Sequence, residues 1–418
     1  MANQNDCYRR SVPSRIERIT FPGSQGDDLS ARLDLPAGPP RAYALFAHCF
    51  TYSKDIKAAS RIAAALTDHG FGLLRFDFTG LGASDGEFAN TNFSSNVDDV
   101  IAAAAWMRTN HAAPQLLVGH SLGGAAVVVA AVEISEVRAV ATIGAPSDSG
   151  HIASLFDGSL DEIADHGEAC VELAGRSFTI RRQLVDDLCN DRVTGAAATF
   201  GGAMLVVHSP ADNTVGIDHA AALYQAARHP KSFVSLDGAD HLLSRPGDAE
   251  YAAAMIGTWA DRYLDDQSGA APAPAASAPV VVAETTQGPF LNHVVAGRHR
   301  FLADEPETVG GFDAGPGPYE LLGAALGTCT SMTIRMYADR KKMPLTRVTV
   351  EITHEHVHVD DAATADADAA SRVDRFTRVV HLDGDLDDDQ RTALLRIADR
   401  CPVHRTLELS SLIVTELA

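Results

Sequence analysis

Gly119-His120-Ser121-Leu122-Gly123 stands where an apolar run over 115–119, read as a strand, passes directly into a helical pattern over 122–134. A serine on so sharp a strand-to-helix turn needs small neighbours two positions away on either side. The helix start then offers backbone N–H groups to a developing oxyanion. Gly119 and Gly123 meet the first requirement. The competing reading is a turn serine that merely caps the helix.

Outward from this turn, short apolar runs alternate with helical patterns. Strands are expected over 43–48, 71–76, 115–119, 139–143, 203–208 and 232–236, with helices over 54–69, 94–110, 122–134, 218–228 and 249–264. That alternation implies a parallel sheet wrapped on both faces, an α/β fold. The interval 146–202 is too long for a plain crossover and carries helical patches, so it is expected to form a lid.

A serine hydroxyl becomes a nucleophile only when a base takes its proton and a carboxylate orients that base. Strand 203–208 runs into Ser209-Pro210-Ala211-Asp212, and strand 232–236 runs into Asp237-Gly238-Ala239-Asp240-His241. Both endings lie at strand C-termini, where open α/β sheets hold their sites. Ser121, Asp212 and His241 are thus the candidate nucleophile, acid and base. Asp240 is a rival acid, but as the immediate neighbour of His241 it reaches the ring poorly. On these motifs residues 15–264 resemble the α/β-hydrolase family. The resemblance implies an oxyanion hole of the Phe50 and Leu122 N–H groups, with Cys49 where the family usually has glycine. Arg75-Phe76-Asp77-Phe78-Thr79-Gly80-Leu81-Gly82-Ala83-Ser84 resembles a structural turn of the same family. His48 and His120 are expected to be hydrogen-bonding neighbours, and Cys49 a small buried apolar residue.

The chain has 418 residues, which at about 100 to 200 residues per domain favours two domains. With 46% hydrophobic and 21% charged residues it has an ordinary globular composition. Lys plus Arg number 34 against 55 Asp plus Glu, a net charge of -21 that repels nucleic acid and anionic lipid. No run approaches the roughly 18 apolar residues of a membrane span, and the polar N-terminus lacks a signal-peptide pattern; a cytoplasmic location is expected. The stretch 266–279, with Pro272, Pro274 and Pro279 among alanines, reads as a linker between domains 1–265 and 280–418.

The second part reads as α+β, with strands over 280–286, 292–303, 345–359 and 376–382, a helix over 387–400, and a long helix over 318–341. That long helix is rich in small and apolar residues, hence expected to be buried on most faces. The six cysteines (Cys7, Cys49, Cys170, Cys189, Cys329, Cys401) form no Cys-x-x-Cys pair, unlike a structural zinc site or a secreted disulfide framework. Cys7, Cys170 and Cys189 carry no expected role. Cys329 lies in the long helix and Cys401 after the last one. Thiolate chemistry there needs positive charge nearby and a second thiol to resolve a sulfenic acid; two buried core cysteines are the alternative.

Gly297-Arg298-His299-Arg300-Phe301-Leu302-Ala303-Asp304-Glu305-Pro306, Gly310-Gly311, Gly317-Pro318-Tyr319-Glu320-Leu321-Leu322 and the two cysteine motifs resemble the OsmC/Ohr family of thiol peroxidases. The resemblance implies a peroxidatic Cys329, a resolving Cys401, and an Arg298 that stabilises the thiolate and is held by a glutamate. It also implies a lipoyl or other dithiol reductant and a homodimer with packed central helices. The organic-hydroperoxide reductases of that family carry this glutamate one residue earlier, where Tyr319 stands here, and one residue turns a helical side chain by about 100°. Glu320 is therefore the candidate with a departed position. His354, His356 and His358 alternate on a strand and share one face, a spacing that can bind metal; next to the acidic stretch 360–389 they read as a solvated strand. No metal or cofactor is expected. The expected activity is hydrolysis of a small carboxylic ester, with short acyl chains. The C-terminal module is either a peroxidase for organic hydroperoxides or an oligomerisation scaffold.

Overall fold

Residues such as Leu73, Leu74, Leu116, Leu117 and Val118 have no exposed surface, which places their strands in the middle of a sheet covered on both sides. The structure, a computed structural model, describes residues 15–49, 53–173, 176–188, 192–358, 372–409 and 411–417. It comprises two units, Met1–Ala271 and Pro272–Ala418, and the division falls inside the stretch 266–279.

In the first unit, strands β1 (Arg15–Pro22), β2 (Asp28–Leu35), β3 (Ala42–Ala47), β4 (Phe71–Phe76), β5 (Leu116–His120) and β6 (Ala139–Ile143) precede a hairpin of β7 (Glu168–Leu173) and β8 (Arg176–Arg181); β9 (Ala203–His208) and β10 (Lys231–Ser235) follow. Eight of these form one sheet in the order β1-β2-β4-β3-β5-β6-β9-β10. The pairs from β4 through β10 are parallel, whereas β1–β2 and β2–β4 are antiparallel. The antiparallel edge was not part of the sequence expectation, which began its alternation at residue 43.

Helices α1 (Lys57–Asp68), α2 (Phe93–Asn110), α3 (Leu122–Ala130), α4 (Leu160–His166), α5 (Arg182–Leu188), α6 (Val193–Thr199), α7 (Ile217–Ala226) and α8 (Pro246–Ala260) connect the strands. Helix α1 buries Ala59, Ile62, Ala63 and Leu66 at helical spacing, and packs with α8 on one sheet face. Helices α2, α3 and α7 cover the other. Helix α2 begins at a reciprocal cap: Ser95 N–H donates to Asn92 Oδ1 (2.8 Å) and Asn92 N–H to Ser95 Oγ (2.9 Å).

The interval 146–202 contains more than helical patches, because β7 and β8 pair antiparallel from Glu168↔Arg181 to Leu173↔Arg176. Ala169, Val171, Phe178 and Ile180 point to one side and join the same buried cluster as α2 and α3, a period of two that marks strands. Phe178 meets Phe88 edge-on at 4.9 Å. Asp187 accepts from the Ser94 N–H and hydroxyl, both at 2.6 Å. The interval is thus packed on the core along much of its length.

A buried ionic network braces the loop after β3. Lys54 and Asp77 are 3% and 1% exposed; the Lys54 ammonium and N–H both donate to the Asp77 carboxylate at 2.6 Å. Ala83 N–H donates to Asp77 as well (2.9 Å). Gly82 has φ +59° and a Cβ there would lie 2.2 Å from Asp77 Oδ2, so the turn read from sequence as structural admits no side chain at that position. Arg75 donates to Asp34 (2.7 Å) and to the Lys54 carbonyl (2.6 Å).

In the second unit, β11 (Val280–Glu284), β12 (Asn292–Ala296) and β13 (His299–Ala303) form an antiparallel sheet. The single strand expected over 292–303 is instead a hairpin, turned at Gly297 with φ +60° and Arg298. Helix α9 (Pro318–Lys341) lies on the ribbon of β14 (Leu345–His358) and β15 (Arg372–Gly384), followed by α10 (Asp388–Ala398) and α11 (Pro402–Glu408). Only Gly323, Leu326, Thr330, Ile334 and Ala338 of α9 are buried, a single stripe. Met332 and Met336 are 64% and 72% exposed. The expectation of a helix buried on most faces is corrected accordingly, since within one chain the ribbon, α10 and α11 cover one side only. No helix among the described residues is long and apolar enough to cross a membrane.

Replacing Lys54 with Met leaves Asp77 charged, buried and short of its cationic partner. The change is expected to cost about 3–5 kcal/mol of stability, measured as a lowered urea midpoint of the first unit; an unchanged midpoint would contradict the bracing role of the pair.

Candidate functional site

Three loops at the carboxyl ends of β5, β9 and β10 meet at one point. Ser121 directly follows β5 with φ 55° and ψ -126°, a conformation that side-chain-bearing residues rarely hold. Its N–H is held by the Ile143 carbonyl (2.9 Å). A Cβ at Gly119 would lie 2.4 Å from the Gly123 carbonyl oxygen, and one at Gly123 would lie 2.4 Å from those of Ala47 and His48. Both glycines are therefore obligatory for the turn to seat against β3.

The Ser121 hydroxyl donates to His241 Nε2 at 3.0 Å, and His241 Nδ1–H donates to Asp212 Oδ2 at 2.7 Å. The other Asp212 oxygen accepts from the N–H groups of Thr214 (2.8 Å) and Val215 (2.9 Å). Burial pushes the Asp212 carboxyl up, but the His241 hydrogen bond, these backbone donors and the charge of His241 outweigh it, leaving the carboxyl below its ordinary range. Asp240 instead accepts from Ser244 N–H (2.8 Å). This arrangement can move a proton from a serine hydroxyl to an imidazole whose other nitrogen faces a carboxylate.

Neighbouring groups hold these three in place. His120 Nε2–H donates to the His241 carbonyl (2.7 Å), and burial pushes the His120 imidazole down to about 4, so that it is neutral. The buried His208 Nε2–H donates to the Val215 carbonyl (2.8 Å) and steadies the Asp212 loop. Gly144, at φ +55°, lies beneath the pair; a Cβ there would be 3.2 Å from Asp212 Oδ2. His208 and Gly144 were not singled out from sequence, since only the folded sheet brings the ends of β6 and β9 together. Leu122 opens α3, so its N–H has no acceptor within the helix. Phe50 lies outside the described residues, as do Cys7 and Cys189. Cys49 is 3% exposed, and burial pushes its thiol up to about 12. Cys170 is exposed.

In the second unit, Cys329 on α9 and Cys401 at the start of α11 are neighbouring free thiols. Cys401 is fully buried and Cys329 partly exposed. Cys401 Sγ accepts from His404 N–H at 3.3 Å, with the Thr330 hydroxyl at 3.9 Å. Thr330 in turn accepts from Arg378 Nη1 at 3.0 Å. Burial pushes the Cys329 thiol up. Burial acts the same way on Cys401, but the donors from His404, Cys329 and Thr330 outweigh it and leave that thiol lowered. The two sulfurs are thus brought together, whereas Arg298 and Glu320 do not join them in the single chain. Arg298 is exposed on the β12–β13 turn and has no ion pair among the described residues, and Glu320 accepts from Gly317 N–H (2.9 Å) at the start of α9. The residues that sequence reasoning missed here are Thr330 and Arg378, which no motif marks.

Comparison with known proteins agrees with both halves. Residues 38–164 match the family model described as serine aminopeptidase, S33, and residues 311–416 match that of OsmC-like proteins. The esterase domain of a Rhodothermus marinus protein is 49% identical, with a TM-score of 0.50, covering 60% of this chain and 99% of that one. The α/β hydrolase GrgF from Penicillium sp. sh18 shares the fold at 19% identity, with a TM-score of 0.52 over 60% of this chain and 99% of its own. The uncharacterized protein YfhR of Salmonella typhimurium is 25% identical over 240 residues, 55% of this chain and 76% of that protein. The chain therefore belongs to the α/β-hydrolases of the S33/esterase group, its hydrolase domain continued by a C-terminal OsmC-like domain.

Proposed function

We propose that the first domain hydrolyses carboxylic esters of small acids through Ser121, His241 and Asp212. The continuous hydrogen-bonded line from Ser121 Oγ through the His241 ring to Asp212 carries this reading. The Ser121 oxygen attacks the acyl carbon while His241 Nε2 takes its proton. The oxyanion forms against the N–H of Leu122 and, by the family resemblance, that of Phe50. His241 returns the proton to the departing alcohol, and water attacks the acyl-enzyme by the same route in reverse. Ser121→Ala removes the nucleophile and is expected to lower p-nitrophenyl acetate turnover by at least about 1000-fold; retained turnover overturns the assignment.

The neighbouring thiols of Cys329 and Cys401, one partly exposed and one buried, favour a second activity for the C-terminal domain, reduction of organic hydroperoxides. Cys329, the sulfur with solvent access, bonds to the distal peroxide oxygen as the O–O bond breaks, and the alkoxide leaves with a proton as an alcohol. The Cys401 thiol then condenses with the sulfenic acid, releasing water and forming a disulfide that a lipoyl or other external dithiol reduces. Cumene hydroperoxide is expected to be consumed in the presence of reduced lipoamide, and Cys329→Ser and Cys401→Ser each to abolish consumption. No consumption by the wild-type protein, with both thiols intact by mass, rejects the activity.

The same domain is proposed to pair with a second copy of itself. The open side of α9 presents Met332 and Met336, and the C-terminal residues Leu412, Ile413 and Val414 are 91%, 85% and 71% exposed, apolar side chains that a pairing surface would cover. Sedimentation of the full chain is expected to give a dimer or a multiple of it, and Met336→Glu to shift it toward monomer. A monomeric wild-type chain at micromolar concentration refutes the pairing.

A further inference from the structure

On sequence alone the alternating histidines of β14 read as a solvated face. Strand pairing adds two partners that spacing cannot show. Asp374 of β15 stands directly opposite His356 in the β14–β15 register, and Phe376 opposite His354. Both histidines turn a ring nitrogen to the same carboxylate oxygen: His354 Nε2 lies 2.8 Å and His356 Nδ1 2.9 Å from Asp374 Oδ1. One donor atom from each of the three residues falls within 4.8 Å of the others.

The first histidine is held in orientation. The Tyr319 ring, from the first turn of α9, stacks on His354 at 4.1 Å and 7°, and Phe376 lies 4.7 Å away on the ribbon. Tyr319 also meets the His356 ring edge-on at 5.8 Å. The residue at the position of the family's glutamate is thus engaged with the histidine pair. On the opposite face of the ribbon, Glu355 and Arg375 neutralise each other at 2.7 Å. Among the described residues Asp374 has only the two imidazoles as ionic partners.

We propose that His354, His356 and Asp374 form a binding site for a divalent transition-metal ion of the zinc, cobalt or nickel type. Two imidazole nitrogens and one carboxylate oxygen are the donor set such ions take. Tetrahedral ligands on bonds of about 2.0–2.1 Å stand about 3.3 Å apart, so the 2.8 and 2.9 Å separations between Asp374 and the imidazoles need to open by only about half an ångström to admit the ion. A cation replaces the two N–H protons that must otherwise both point at one oxygen, each neutral ring moving its proton to the remote nitrogen. Three protein donors leave at least one position for water or a ligand. The stacked tyrosine does for His354 what a hydrogen-bonding partner does in many metal sites: it fixes the ring plane before the ion arrives.

The test uses the tag-free full-length chain, stripped with a chelator and titrated with Co2+ and then Zn2+. One high-affinity Co2+ per chain is expected, with visible d–d absorption, without sulfur-to-cobalt charge-transfer bands, and displaced by Zn2+. His356→Gln and Asp374→Asn, both at half-exposed side chains, are expected to weaken Zn2+ binding at least about tenfold with an unchanged circular dichroism spectrum. The Cys329→Ser/Cys401→Ser double variant is expected to bind as the wild type does. Absence of saturable binding overturns the site, as do wild-type affinity in both ribbon variants and charge-transfer bands that vanish with the thiols.

Discussion

The first domain depends on how closely the Ser121 turn is pressed against the end of β3. With 2.4 Å between a would-be Gly123 Cβ and the Ala47 and His48 carbonyl oxygens, nothing larger than glycine fits, and α3 must start where it does. That closeness holds the serine at positive φ and lifts its hydroxyl toward His241. The strain, of order 1–3 kcal/mol for such a residue, is offset by the sheet around it: Ile143 holds the Ser121 N–H and both faces of β5 are buried. The β3 end is itself anchored through Lys54, Asp77 and Arg75. A buried ion pair adds little net stability compared with apolar packing, so its value here lies in fixing one loop geometry.

At Ser121 the geometry offers a base, His241, aligned by a carboxylate that two backbone N–H groups and the imidazole hold ionised. Under the proposed peroxidase reading, reactivity at the cysteine pair turns on which sulfur gives up its proton. The Thr330 hydroxyl and the His404 N–H converge on the buried Cys401, whereas Cys329 is the more accessible sulfur. The peroxide reading needs the proton of Cys329 to be given up at the moment of attack. Arg378, acting through Thr330, is the cation nearest this pair in the hydrogen-bond network.

Helix α9 shows how composition misleads when a chain is read by itself. Gly323, Ala324, Ala325 and Gly327 suggested burial all round, yet only the glycines serve close approach to the ribbon, a Cβ at Gly323 lying 3.3 Å from Ile352, while Ala324 and Ala325 are exposed. The opposite side is apolar without a cover in the single chain. Composition records that a surface is apolar, and it does not record whether the same chain supplies the cover. The hairpin at Gly297 and the β7–β8 hairpin were obscured for a related reason, since both turns fall inside runs whose flanks continue the same hydrophobic pattern.

Residue order alone determined the alternation of strand and helix, the glycine-flanked serine, the order of Ser121, Asp212 and His241, and the two chemically distinct halves. These are local properties: hydrophobic period, turn chemistry and strand ends are all written within a few residues. Tertiary structure alone decided that His208 and Gly144 support the Asp212–His241 pair, that Thr330 joins Cys401 to Arg378, and that Asp374 meets His354 and His356. Each of these joins residues from separate elements, and their meeting depends on sheet order and strand register, which are set by the packing of the whole domain.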